Sequence, residues 1–205
     1  MNNTLNPKRW RERLQESLPG EKAHLRMAPA FRGPVTAAEP AVPAAVLVLF
    51  YPSGQETCLA FIKRNAYDGP HSAQVSFPGG SREPHDRNLE ETALRETREE
   101  LGIREKIEIL GALTPLHIPV SNYLVHPFVG WMEQVPVFRP DPAEVQYVIE
   151  ATLSGLQDPL QQGSAREVRH GLTMEVPFYM VGEEKIWGAT AMMLSEVLQL
   201  AASLP

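Results

Sequence analysis

Glu96, Glu99 and Glu100 stand at i, i+3 and i+4 within the run Arg95-Glu96-Thr97-Arg98-Glu99-Glu100-Leu101-Gly102-Ile103. In a helix those offsets gather the carboxylates on one side, and like charges so placed destabilise it unless a cation neutralises them. Carboxylate oxygens suit a hard divalent metal such as Mg²⁺ or Mn²⁺, and Mg²⁺ is commonly shared with substrate phosphates. A phosphate-bearing ligand is therefore expected. The competing reading is a solvated, charge-laced helix, the usual meaning of Glu/Arg-rich sequence. The turn Phe77-Pro78-Gly79-Gly80 just upstream, together with an apolar stripe in the segment itself, weighs against it.

The elements that must position these groups are legible locally. Asn88 or Asp86 can cap the helix start, and Glu91 follows Asn88 at capping-box spacing. Leu89, Ala93, Thr97 and Leu101 recur every four residues with Leu94 beside them, which makes an inward-facing stripe. Gly102 provides a stop that tolerates positive φ. The three glutamates fall beside the stripe, at the rim of the core, and Arg95 and Arg98 flank them in position to orient carboxylates.

Around this helix, Ala44–Tyr51 and Cys58–Arg64 read as strands joined through Pro52-Ser53-Gly54. Further strands are expected at 107–113, 125–132, 172–179 and 185–187, with helices at 7–18, 143–149 and 189–202. A Pro-rich linker spans roughly residues 28–43. The N-terminal arm, residues 1–35, is expected to be a packing or dimer-contact element, with a single α/β domain over 36–205 whose sheet is covered on both faces. The 205 residues, 43% apolar and 21% charged, are enough for one substantial core. A net charge of −6 argues against nucleic acid or an anionic membrane as partner. The single cysteine, Cys58, excludes an internal disulfide. No apolar run reaches membrane-spanning length and the N-terminus lacks a secretory apolar stretch, so a cytoplasmic protein is expected.

The segment from Gly80 to Ile103 resembles the signature of the Nudix hydrolases, G-x5-E-x7-R-E-U-x-E-E-x-G-U with U aliphatic. Arg95, Glu96, Glu99, Glu100, Gly102 and Ile103 match its second half. Asp86 stands at the first acidic position with one residue too many after it, and Thr97 replaces an aliphatic residue. These departures resemble the coenzyme A pyrophosphatase branch, which pairs a Phe-Pro-Gly-Gly turn with a loop aspartate and a Thr-Ala-Leu-Arg-Glu segment (Thr92–Glu96 here). That branch also carries R-x6-H-x-G-x-V-x-F-P-G-G upstream. Arg64, His71, Val75 and Phe77 fall in that register, with Ala73 where glycine is common and Asp68 where leucine is usual. The similarity runs on through 118–130 and 186–198. It implies the α/β/α Nudix sandwich with a mixed central sheet, and metal-dependent cleavage of coenzyme A or a derivative to 4'-phosphopantetheine and adenosine 3',5'-bisphosphate. A Nudix pyrophosphatase for a nucleotide sugar or dinucleotide, and a non-catalytic ligand-binding domain, are the alternatives. The intact glutamates argue against the last.

In this reading Glu96 and Glu100 are the principal metal ligands, since i, i+4 spacing stacks them one turn apart. Glu99 holds a second ion or orients the attacking water, and a carbonyl at Gly79 or Gly80 completes the shell. Glu99 and Glu144 are both candidates for the general base; Glu144 otherwise belongs to a helix-capping loop. Arg64 with Lys63 is set either to meet phosphates or to be ordinary surface. His71 is either a phosphate contact or structural, and Arg82 either reaches substrate or decorates its loop. Asn122, with Ser121 and Tyr123, contacts ligand or simply makes a turn. Trp187 is read as core packing, and His117 and His126 as core-edge residues.

Overall fold

The computed structural model describes residues 5–30, 40–69, 71–169 and 172–204. In chain order the elements are α1 (Pro7–Leu14), α2 (Glu21–Leu25), β1 (Val42–Ser53), β2 (Glu56–Arg64), β3 (Val75–Ser76), β4 (Gly79–Ser81), α3 (Leu89–Leu101), β5 (Glu108–Ala112), β6 (Leu116–Ile118), β7 (Tyr123–Trp131), β8 (Val145–Thr152), α4 (Leu153–Gln157), β9 (Gln162–Arg169), β10 (Leu172–Val181), β11 (Glu184–Trp187) and α5 (Gly188–Ala202).

The main sheet follows the path β3-β2-β1-β7-β5, with β4 on β1, β6 on β7 and β8 on β2. Only the β1–β7 pairing among these is parallel, so the sheet is mixed. β9, β10 and β11 form a smaller antiparallel sheet. The unbroken apolar run Val46–Phe50 explains why β1 sits at the centre: a strand buried on both faces needs no polar alternation. Its side chains point alternately to two cores. Leu47, Leu49 and Tyr51 join Ala93 and Leu101 of α3 on one face. Val48 and Phe50 join Trp10 of α1 and Met192 and Val197 of α5 on the other. Helices therefore cover both faces, as expected.

The N-terminal arm is stitched into this body. Trp10 and Leu14 are buried, and the Trp10 ring lies 5.0 Å from Phe50. Glu196 of α5, fully buried, accepts from the Gly20 N–H (3.0 Å), the Thr114 N–H (3.1 Å) and the Thr114 hydroxyl (2.7 Å), and lies 3.2 Å from His24 Nε2. The first helix ends at Leu14 rather than running to Leu18, and the short helices α2 and α4 and strand β9 were not anticipated. Most of the Pro-rich linker, and the boundary drawn at 35/36, lie outside the described residues.

One expectation is overturned in type. Residues 143–149 are not a helix: the segment is strand β8, antiparallel to β2, with Ile149 opposite Phe61. Asp-Pro-Ala-Glu looked like a helix start, but Asp141 uses its side chain on the Ala143 N–H (2.8 Å) and its carbonyl on the N–H groups of Glu144 (3.1 Å) and Val145 (2.8 Å), closing a turn. Val145, Tyr147, Val148 and Ile149 then favour an extended chain, and the free edge of β2 supplies the partner.

Among the described residues no helix is long and apolar enough to cross a membrane.

Candidate active site

Helix α3 begins and ends where its sequence says it should. Asn88 Oδ1 accepts the Glu91 N–H (2.9 Å), and Gly102 closes the helix at φ 64° with its N–H on the Arg98 carbonyl (2.9 Å). Ala93, Thr97 and Leu101 are buried. The Thr97 hydroxyl, unusual at that position, donates to the Ala93 carbonyl (2.7 Å), so its burial leaves no polar group unmet.

Asp86 does not cap the helix. It is buried, and Arg95 grips it with Nε on Oδ1 and Nη2 on Oδ2, each at 3.0 Å. The Thr92 hydroxyl (3.0 Å) and the Glu83 N–H (2.9 Å) complete its coordination. Arg95 Nη2 also holds the Ser81 carbonyl (3.2 Å), while Nη1 donates to Glu96 Oε1 and Glu99 Oε2, both at 2.9 Å. A shorter acid on a longer loop thus closes onto the arginine beside the metal-ligand candidates. Hydrogen bonds from Arg95 hold the Asp86 carboxyl well below the usual carboxylate range against the opposing effect of burial.

Upstream, Phe77 stacks on Phe61 at 4.8 Å and anchors the turn. Gly79 adopts φ 152°, and a Cβ there would sit 2.3 Å from the Ala45 carbonyl oxygen. A Cβ on Gly80 would lie 2.5 Å from Glu96 Oε1. Gly79 is required because main chain must pass against β1, while the lack of a side chain at Gly80 leaves the Glu96 carboxylate its place.

A cleft of about 450 Å³ opens over this turn, and Glu96, Glu100, Glu144, Arg64, Gly79 and Gly80 line one end of it. Glu100 is 1% exposed and accepts the Gly79 N–H (2.7 Å) and Arg64 Nη2 (3.2 Å). Burial pushes its carboxyl up to about 8 despite Arg64 and the Gly79 N–H, with Glu96 and Glu144 pushing the same way. Glu96 is likewise raised by burial, with Arg95 opposing.

Glu99 departs from the expected trio. Its side chain is 55% exposed and turned to Arg95, outside the cleft lining. No group of three or more His, Cys, Asp or Glu side chains among the described residues is arranged to hold a metal. The remaining set nonetheless fits a divalent ion. Mg²⁺ commonly uses one or two protein carboxylates and fills its shell with water and phosphate oxygens. Glu96 and Glu100 supply only hard oxygen donors, and their raised pKa values reflect desolvated charge that a nearby dication relieves.

Glu100 sets the pH response of the metal-free protein. Its carboxyl takes up a proton in the folded state, at about 8, that the unfolded chain releases near 4.5. Stability therefore falls as pH rises through that interval, by on the order of 5 kcal/mol. Thermal melts in chelator between pH 5 and 8.5 should show this fall, and Glu100→Gln should flatten it. A wild-type melting temperature that rises over the same window would contradict the assignment.

The other expected site residues divide. Arg64 lines the cleft, yet its guanidinium is already engaged by Ser76 Oγ (3.2 Å), the Gly79 carbonyl (2.8 Å) and Glu100, which makes it as much a brace for the turn as a phosphate contact. His71 also lines it, with Nε2 3.0 Å from Ser121 Oγ and Nδ1 3.3 Å from Gln74 Oε1; burial lowers its pKa, favouring the neutral ring. Ala73 in the same loop has φ 54°, a backbone reason for the glycine common there in the resembling branch.

Arg82 is not brought in. Its guanidinium is spent on the carbonyls of Asp86 (3.0 Å) and Arg87 (3.2 Å). Asn122 is also outside the lining: at φ 54° it makes the turn, its amide donates to the Pro40 carbonyl (3.3 Å), and its Oδ1 meets His117 Nε2 (3.0 Å). Tyr123 takes the place in the cleft instead. Lys63 is paired with Glu184 at 2.6 Å. Trp187, His117 and His126 do not line the cleft. Sequence reasoning missed Tyr67, Thr190 and Met193. The first sits inside the R-x6-H spacing, which was the available signal; the other two have none, since α5 reaches the cleft only through packing.

The sequence model of the NUDIX domain family matches residues 41–178. The human mitochondrial coenzyme A diphosphatase NUDT8 is 34% identical over 194 residues, covering 93% of this chain and 77% of that protein. The uncharacterized Nudix hydrolase NudL of Photorhabdus laumondii is 35% identical over 142 residues, covering 69% and 75% respectively. Among solved structures, the M. smegmatis Nudix hydrolase RenU superposes with a TM-score of 0.53 at 14% identity, over 80% of this chain and 88% of that one, a likeness of fold alone. With a buried Glu100 and a part-buried Glu96 behind a glycine turn, a two-faced mixed sheet and these relatives, the chain belongs to the Nudix hydrolase family.

Proposed function

We propose that this protein hydrolyses the diphosphate bond of coenzyme A or a derivative, with Mg²⁺ or Mn²⁺, to give 4'-phosphopantetheine and adenosine 3',5'-bisphosphate. The observation that carries the hydrolytic reading is the pair Glu96 and Glu100, desolvated at the floor of the cleft and faced by Glu144. The coenzyme A reading is supported by likeness to NUDT8 over most of the chain.

Glu96 and Glu100 would hold the divalent ion, whose chemistry when bound would be to offset negative charge developing on the phosphoryl oxygens. Arg95 orients Glu96, and Arg64 with the Gly79 N–H orients Glu100. Glu144 accepts the proton of the water that attacks phosphorus while the bridging P–O bond breaks. It is favoured over Glu99 as general base because it faces both ligand candidates within the cleft, whereas Glu99 points outward to Arg95. Neutral His71, with Nδ1–H donated to Gln74 Oε1 and Nε2 accepting from Ser121 Oγ, holds its loop against the cleft. The unpaired, buried Cys58 is consistent with work in a reducing compartment such as the cytoplasm.

The test is turnover of a panel, with coenzyme A, nucleotide sugars, dinucleotides and nucleoside triphosphates each incubated with Mg²⁺ or Mn²⁺ and the products separated by chromatography. Preferred cleavage of coenzyme A into the two named products is expected. Preferred cleavage of another member overturns the substrate assignment, and binding without turnover overturns the catalytic reading.

A further inference from the structure

A diphosphate that is cut in the middle of a long molecule has two arms, which must leave the scissile bond in different directions. The structure offers two directions. Besides the cleft, an open groove of about 620 Å³ is lined by Asn65, Ala66, Ala143 and Gln146 together with Arg64, Tyr67 and Glu144. The last three also line the first cleft, so the two spaces meet beside the carboxylates. Both volumes lie within the range of small-molecule sites.

Their linings differ in proportion. Beyond the carboxylates, the cleft combines aliphatic and aromatic walls, among them Val46, Ile118, Ala189 and Met193, with polar groups such as His71, Gln74 and Thr190. The groove presents exposed amide and charged groups and one large ring, that of Tyr67, which is 48% exposed. The loop carrying Tyr67 is held in place: the Asn65 amide donates to the Pro142 carbonyl (2.9 Å), the Asn65 N–H to the Glu144 carbonyl (3.1 Å), and the Tyr67 N–H to Ser72 Oγ (2.9 Å). The ring thus projects at the junction from an anchored main chain, with its edge beside Gly69 and the Gln146 side chain in the same groove.

We propose that the groove holds the nucleoside arm of the substrate, with the base stacked on Tyr67, and that the cleft holds the pantetheine arm. A purine has a flat π-face suited to an exposed tyrosine, and stacking of this kind is a strong determinant of nucleotide affinity. The pantetheine arm carries a geminal dimethyl group and ends in a thiol, which suit aliphatic walls. Tyr67 is a specificity-determining residue in this arrangement, not a participant in bond cleavage. The assignment rests on the coenzyme A reading above.

The experiment measures binding of adenosine 3',5'-bisphosphate and of 4'-phosphopantetheine, each alone, to the full chain by calorimetry, alongside coenzyme A kinetics. Tyr67→Ala should weaken adenosine 3',5'-bisphosphate about tenfold and raise the KM for coenzyme A by a similar factor, with kcat unchanged; Tyr67→Phe should retain both. Ala189→Leu, which narrows the cleft, should weaken 4'-phosphopantetheine and spare the nucleotide. Nucleotide affinity indifferent to Tyr67, or lowered by Ala189→Leu in place of phosphopantetheine affinity, overturns the assignment. Failure of the underlying reading shows separately, as an unmodified protein that does not turn over coenzyme A.

Discussion

Glu100→Gln is expected to lower kcat by on the order of 10²-fold or more while leaving the fold intact. The amide is nearly isosteric, and its oxygen can still accept the Gly79 N–H that now meets Glu100 Oε2 at 2.7 Å; the contact given up is the longer one from Arg64 Nη2 (3.2 Å), whose guanidinium keeps Ser76 and the Gly79 carbonyl. What disappears is the charge. A buried carboxylate raised by desolvation is uncomfortable without a cation, so its removal should leave the metal-free protein as stable as wild type at neutral pH or more so. Loss of rate with gain of stability separates a metal-binding role from a structural one. Glu96→Gln should show the same loss of rate. Both variants, assayed at saturating Mg²⁺ and followed by Mn²⁺ titration, should bind the ion more weakly; wild-type rates in both would remove the proposed ligand pair.

Asp86→Ala is expected to destabilise the protein by about 3 kcal/mol or more, as measured by denaturant unfolding. The substitution leaves Arg95 without its bidentate partner, orphans the Glu83 N–H and leaves the Thr92 hydroxyl only a longer contact to the Asn88 carbonyl (3.4 Å). The pH dependence has the opposite sign to that of Glu100. Asp86 is held ionised in the fold below the usual carboxylate range, so its contribution is present above about 3.8 and is lost as acid protonates it. Wild type should therefore lose stability below that pH more steeply than Asp86→Ala. Because Arg95 also holds Glu96, the variant should be slower as well as less stable. In a double-mutant cycle, Arg95→Ala added to Asp86→Ala should cost clearly less than the sum of the single effects. Additive losses would mean that the pair does not act as a unit.

Much of this site could be read along the chain because it is short-range. The cap at Asn88, the stop at Gly102, the stripe through Ala93, Thr97 and Leu101, and the one-turn stacking of Glu96 on Glu100 all follow from helical periodicity. The need for Gly79 and Gly80 was likewise visible, although the atoms they must clear, the Ala45 carbonyl and the Glu96 carboxylate, were not. Arg82 and Asn122 show the limit of such reading. A polar residue near a site motif spends its hydrogen bonds on whichever carbonyl is closest: for Arg82 that is Asp86 of its own loop, for Asn122 it is Pro40 just ahead of β1.

Side chains distant in sequence were assembled by strand pairing and helix docking. Glu144 reaches the ligand candidates because the segment after it, read locally as helix, finds greater satisfaction as a strand on the open edge of β2. Met193 and Thr190 enter through α5, which is buried almost all round and carries no periodic signature of a ligand face. Local order was written in the residues because backbone hydrogen bonding and capping act within one turn. The cleft emerged only when β1 buried both of its faces and thereby drew α3, α5 and the Tyr67 loop around a common floor.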